Sequence, residues 1–215
     1  MASMKEHREV LLKQLSERLV QIGFDKKIHG QSFWKFTEYG RTSIHLGFIN
    51  HVTDFDITVS VGIRIDKVED MANASNKLIK DREKKMTCTI GTEIGNFING
   101  RQKRWTINNF EDIGPVCDDI YIYVMEVAVP YIEKYSELEN VYEVLLRDDK
   151  EGWRHAPIHY HRAICAVAMA RLLGKSDYKD IVDKKTKFLK EREDYGLPLF
   201  LDFINKLDES QGNIV

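Results

Sequence analysis

Apolar residues recur near the helical period over residues 4–22, at Val10, Leu11, Leu15, Leu19 and Ile22. Gly23 stands where a C-terminal cap belongs. The period then shortens. Residues 31–37 (QSFWKFT) alternate aromatic and polar positions, Glu38-Tyr39-Gly40 turns the chain, and residues 43–50 (SIHLGFIN) follow as a second strand. In residues 55–65 the side chains Phe55, Ile57, Val59, Val61, Ile63 and Ile65 alternate strictly, which predicts a strand with one face buried and the other wet. Short links between these strands predict an antiparallel meander. Residues 67–84 lean helical, 86–94 (MTCTIGTEI) return as a strand, and a shorter strand is expected over 104–107.

After this point the pattern is helical. A long helix opens at Asn109 or Pro115, and Pro130, which lacks a backbone donor, is expected to kink or end it. Ser136 can cap a helix over 137–146, with Glu139 at the capping-box position. RDDKEGW, from Arg147, reads as a loop. An Ala-rich helix spans 158–173 and stops at Gly174. Ser176 or Asp177 caps another over 178–194, and Leu197-Pro198 starts a last short one. No internal repeat is present. The fold class expected is α+β: an antiparallel sheet flanked by helices over 1–108, then an all-helical part over 109–215, packed together as one unit.

Composition adds a core to this picture. The 215 residues are 43% hydrophobic and 31% charged, with four prolines and 13 glycines, so an ordered chain without long linkers is expected. Cys88, Cys117 and Cys165 are widely spaced and odd in number. They form neither a disulfide framework nor a CxxC zinc pair, which suits a reducing compartment. The N-terminus is charged and lacks the apolar core of a signal peptide, and no run reaches the roughly 18 apolar residues of a membrane span. A cytoplasmic protein without membrane contact is expected. The net charge of −2 hides an asymmetry: residues 1–105 sum to +5 and residues 106–215 to −7.

Four stretches, GFDKKIHGQSFWKF, SIHLGFIN, CTIGTEIGNFINGRQKRWTI and VPYIEKYSELENVYEVLL, occur in that order. In order and spacing the chain resembles, over about residues 5–147, a bacterial family known as domain of unknown function number 4304. The resemblance implies a small bacterial α+β domain and supplies no catalytic residues. It also implies a link to immunity proteins of toxin systems, which some related domains look like.

Candidate chemistry is concentrated in GWRHAPIHYHRAIC, which holds His155, His159, His161 and Cys165. His159 and His161 are two residues apart and face different ways on a helix, so they cannot share one ion there. The HExxH zinc pattern is absent. His161 and Cys165 are four apart and share a face, so a Cys–His dyad is geometrically allowed. The neighbours of Cys165 are core-like, however, and Ala163, Ala166, Ala168 and Ala170 suit close helix packing. The glycines of GTEIGNFINGRQ have the first spacing of a phosphate loop but lack the Lys-Ser/Thr that must follow.

Two charged regions remain. Lys77, Lys80, Arg82, Lys84 and Lys85, with Arg101, Lys103, Arg104 and Trp105, could hold phosphates, with Trp105 or Trp34 offering a stacking face. The acids Glu133, Glu137, Glu139, Glu143, Asp148, Asp149 and Glu151 could mimic nucleic acid or cover a basic site on a toxin. The carboxylate pairs Asp54/Asp56 and Asp118/Asp119 lack a third ligand at a matching spacing. The sequence therefore points first to a non-enzymatic protein-interaction domain without a cofactor, working through the acidic tract; the family resemblance, together with that acidity, implies a role in toxin neutralisation or phage conflict. A nucleic-acid-binding module over 77–105 is the alternative. A metal- or thiol-dependent enzyme at His155, His159, His161 and Cys165 comes third.

Overall fold

The computed structural model describes residues 3–74, 76 and 79–212, with side chains through residue 209. Lys77 lies outside the described residues. The chain gathers into two units, Met1–Ile63 with Gly91–Ser136, and Arg64–Ile90 with Glu137–Val215. The expected boundary at 108/109 thus falls inside the first unit. Residues 64–90, assigned by sequence to the sheet half, group instead with the C-terminal helices.

The first unit begins with α1 (Met4–Val20), whose start is fixed by a reciprocal cap. Ser3 Oγ accepts from the Glu6 amide, and the Glu6 carboxylate accepts from the Ser3 amide. Leu11, Leu15 and Leu19 form its fully buried stripe. An antiparallel sheet follows: β1 (Ile28–His29), β2 (Ser32–Thr37), β3 (Gly40–Asn50), β4 (Phe55–Ile65) and β5 (Ile90–Glu93) lie side by side in that order. The sixth strand, β6 (Trp105–Ile107), also pairs with β4, through Phe55↔Ile107 and Ile57↔Trp105. Between β5 and β6 the chain makes α4 (Ile94–Asn99), which ends at Gly100 in the left-handed region.

The odd positions of β4 are buried as the alternation predicted, from Phe55 to Ile65. The other face is wet only at first. Gly62 and Arg64 are buried as well, so the strand dries out toward its end.

A 3₁₀ turn (Phe110–Asp112) leads into α5 (Ile113–Tyr123), a π-helical turn (Val124–Ala128) and α6 (Val129–Lys134). Pro130 neither ends nor breaks this run. The Val129 amide bonds back five residues, to the Val124 carbonyl, and Pro130 sits in the first turn of α6, where a missing N–H costs nothing. Buried Cys117 and Ile120 belong to α5, which packs against α1. Trp105 Nε1 donates to Asp119 at 2.6 Å and anchors β6 to the same helix.

The second unit contains α2 (Asp66–Ala74), the single turn α3 (Asp81–Lys84), α7 (Leu138–Leu146), α8 (Lys150–His155), α9 (His159–Leu172), α10 (Tyr178–Glu191) and α11 (Leu197–Gly212). Four helices, α2, α7, α10 and α11, pack on α9. Tyr160 and every residue from Arg162 to Ala170 are buried, as expected of a helix with no solvated face. Its alanines give neighbouring backbones room to approach, and Gly174, at φ +63°, closes it.

Ser136 does not cap α7. Its hydroxyl donates at 2.7 Å to the Glu133 carbonyl, at the end of the preceding helix. RDDKEGW is not a loop throughout: Asp149 Oδ1 accepts from the Glu151 and Gly152 amides, at 3.0 and 3.1 Å, and nucleates α8. The final helix is long, at 16 residues, rather than short.

Gly196 lies against the ring of Tyr160, and a β-carbon there would collide with it. Gly196→Ala is expected to destabilise the protein by about 1–3 kcal/mol, the usual cost of overpacking. Gly114, in α5, has nothing within 4 Å of such an atom. Gly114→Ala is expected to hold or raise stability by up to about 1 kcal/mol. Paired denaturant melts check both.

Candidate functional site

The three histidines around the entrance of α9 go to three different places. The His155 side chain is fully buried and its Nε2 meets Glu151 Oε1 at 3.2 Å, one turn back on α8. His159 Nδ1 lies 3.0 Å from an Arg162 terminal nitrogen. Burial, then the Arg162 charge, pushes the His159 imidazole below its ordinary value. Only His161 faces Cys165, with ring nitrogens 3.7 and 3.9 Å from the sulfur. His159 and His161 thus turn to different partners, Arg162 and Cys165.

Arg162 and Lys185 are both buried and share Asp148. Lys185 Nζ donates to Asp148 Oδ1 at 2.6 Å and to the Leu146 carbonyl at 2.9 Å, where α7 ends, while Arg162 lies 3.7 Å from the same carboxylate oxygen. Arg162 also donates to the Ala156 carbonyl just before α9. This network holds α7, α9 and α10 together and fixes the bend between α8 and α9. Burial pushes Lys185 down to about 8, against the pull of Asp148.

A residue that sequence reasoning missed completes the His161–Cys165 pair. Glu69, on α2, is fully buried. Its Oε1 is 3.7 Å from Cys165 Sγ and its Oε2 is 3.9 Å from His161 Nε2. One ligand atom from each of Glu69, His161 and Cys165 falls within 4.8 Å of the other two. Burial, followed by the charge of Glu69, pushes the Cys165 thiol well above its usual range. That shift runs opposite to the lowered thiol pKa on which an activated Cys–His nucleophile depends. The separation of 96 residues between Glu69 and Cys165 leaves no spacing signal to find.

The basic candidates are partly neutralised. Lys103 lies 3.4 Å from Asp119, Arg104 is 3.4 Å from Asp56, and Lys84 is 3.0 Å from Asp81. Trp105 is buried and offers no exposed face, while Arg101, Lys80 and Lys85 are exposed. Arg101–Trp105 belong to the first unit and Lys80–Lys85 to the second. Trp34 stacks on His29 at 3.6 Å and carries the Arg41 guanidinium at 4.1 Å, so its ring is already occupied. Asp56 is drawn below its ordinary value by the Thr106 hydroxyl first, then by His51 and Arg104.

The acidic tract is also largely engaged. Glu139 pairs with Lys175 at 2.8 Å and Glu151 with Arg154 at 2.9 Å. Asp148 holds the two buried cations. Asp149 caps α8 and pairs with Arg147, which keeps its carboxyl well below the usual range. Glu133, Glu137 and Glu143 are exposed and form no ion pair among the described residues.

No protein-family model, curated protein or solved structure matches the chain. Among the described residues, no helix is long and apolar enough to cross a membrane.

Two outcomes follow from these environments. Cys117 and Cys165 are buried and Cys88 is half-buried. A thiol reagent is expected to modify the folded protein at Cys88 and to reach the other two only on unfolding. Rapid reaction surviving Cys88→Ser would contradict this.

Lys185 is charged up to its ordinary 10.5 in the unfolded chain but only to about 8 when folded. The unfolded state thus binds more protons between these values. Stability relative to Lys185→Met should be flat below pH 8 and rise by about 3 kcal/mol toward pH 10.5. Denaturant midpoints of both proteins across that range give the answer.

Proposed function

We propose that the chain is a non-enzymatic, cytoplasmic protein-interaction domain of bacterial type, belonging with the family it resembles and binding a partner with a basic surface. The specific form of this reading is neutralisation of a toxin or of a component of a phage-conflict system. The observation that carries it is the outer face of α5, the π turn and α6. Asp118, Ile122, Met125, Glu126, Pro130 and Glu133 follow one another there at helical spacing, and all are exposed. Ile122 is 49% and Met125 37% exposed.

Apolar side chains ringed by carboxylates suit a basic partner. The carboxylates would speed and orient encounter, while burial of the apolar pair would hold the complex. Asp118 is already paired with Arg18, so Glu126 and Glu133 carry most of the charge offered to a partner. This moves the binding face toward the N-terminal end of the acidic tract. Asp148, Asp149, Glu139 and Glu151 have in-chain cations and serve the fold of the second unit.

The test is affinity capture from native lysate at low salt, with wild type beside Glu126→Lys/Glu133→Lys and with a nuclease-treated arm. The expected result is a nuclease-resistant protein partner that is retained by wild type and lost by the double variant. Its association should slow steeply with added salt. Recovery of nucleic acid that nuclease abolishes would overturn this reading in favour of the basic segment. Equal capture by the variant would also overturn it.

A further inference from the structure

The cluster of Glu69, His161 and Cys165 is independent of the proposed partner face and has no role in it. Two helices of the second unit build it with matched spacing. Helix α2 presents Glu69 and Asn73 four residues apart, and α9 presents His161 and Cys165 four residues apart. The two helices pack on each other, so these pairs meet face to face.

The cluster is rich in acceptors and poor in donors. A carboxylate can accept about four hydrogen bonds. Among the described residues, buried Glu69 accepts one of ordinary length, from Asn73 Nδ2 at 3.2 Å, besides the weak contact from the Cys165 thiol at 3.7 Å. Arg64 stands 3.7 Å from Glu69 Oε2, beyond hydrogen-bond range. Its N–H groups are spent on Asp66, Asp70, Thr87 and the Lys84 carbonyl. Asn73 Oδ1 is buried beside the cluster without a hydrogen-bond partner among the described residues. Leaving so many buried acceptors short of donors is costly, and a cation answers that need.

We propose that Glu69, His161 and Cys165 hold a divalent transition ion of the zinc class between α2 and α9. Thiolate, imidazole and carboxylate together favour such an ion over magnesium or calcium. Bonds of about 2.0–2.3 Å in tetrahedral geometry place ligand atoms roughly 3.3–3.6 Å apart. With one ligand atom from each residue the separations here lie within 4.8 Å, so side-chain shifts of up to about an ångström close them to this geometry.

Charge also balances. On binding, the Sγ–H bond breaks, the metal–sulfur bond forms, and the proton leaves to solvent. The ion's two charges are then matched by one thiolate and one carboxylate, while Arg64 remains matched by Asp66 and Asp70. His161, at 18% exposure, is the ligand nearest solvent and provides the way in. The ion would clamp α2 onto the central helix and leave a fourth position for water.

Untagged full-length protein, stripped with a chelator, is titrated with Co²⁺ as a spectroscopic stand-in. The expected result is one equivalent bound, with a thiolate-to-cobalt band in the near ultraviolet that Zn²⁺ abolishes. Cys165→Ser should remove the band. His161→Gln should weaken binding by more than the roughly 10–100-fold that loss of an outer-shell partner costs. His155→Ala should change neither. A folded wild type without the band overturns the proposal, as does a band that survives Cys165→Ser. If circular dichroism shows that Cys165→Ser does not fold, His161→Gln decides: unchanged Co²⁺ affinity in that variant overturns the proposal.

Discussion

A helix covered on every side has nowhere to place a polar group except against another polar group. That constraint governs the second unit. Helix α9 is buried from Arg162 to Ala170, yet it carries Arg162 and Cys165 within that stretch and His161 at its edge. Each must be met by something from a neighbouring helix. Arg162 is met by Asp148 and by the Ala156 carbonyl, and Asp148 in turn draws in Lys185 from α10. His161 and Cys165 are met by Glu69 from α2. The polar residues of α9 thus specify which helices lie against it and in what register, while its alanines set how close those helices come. Such buried networks are weak sources of net stability, and removing a single member is expensive. Their contribution is to make one packing arrangement better than its alternatives.

Much of the fold was legible because period and burial agree. The strict alternation of β4 reads directly as a strand, and the fully buried Leu11, Leu15 and Leu19 of α1 lie on the predicted stripe. The places where reading failed have local causes. Pro130 looked like a stop because a proline breaks α-helical bonding. A five-residue π turn shifts the register just before it, and nothing in the sequence announces that shift. Asp149 was hidden in a charged run, where a capping carboxylate looks like any other. Ser136 could serve either the helix behind it or the one ahead, and the carbonyl of Glu133 won. A change of period marks 108/109 as a boundary, but α2 packs on α9, which comes some 90 residues later, and no local signal carries that contact.

Charge was the least legible property. Counting acids and bases gives the same weight to a solvated carboxylate and to one fixed in the fold. Asp148, Asp149, Glu139 and Glu151 read as a partner-facing surface, and each has a cation within the chain. Lys103 and Arg104 read as phosphate binders and are tied to Asp119 and Asp56. Glu69 shows the converse. In sequence it is one acid in a charged stretch. In the folded chain it is fully buried beside a thiol and an imidazole. A single sequence holds no information on which charges will be dry, because that depends on partners brought in from far along the chain.

The sheet has a further consequence at its margins. An open sheet exposes rows of backbone amides and carbonyls that can recruit strands from other molecules. Here the first margin is stepped, since β1 is only two residues long and pairs with Ser32 and Phe33 alone of β2, and the other side of β4 is divided between β5, of four residues, and β6, of three. The interposed helix α4 prevents these two from merging into one continuous strand. A foreign strand would find only fragments to template on, never an uninterrupted ladder. The chain can therefore carry β4, an 11-residue strand rich in β-branched side chains, without offering it as a seed for aggregation.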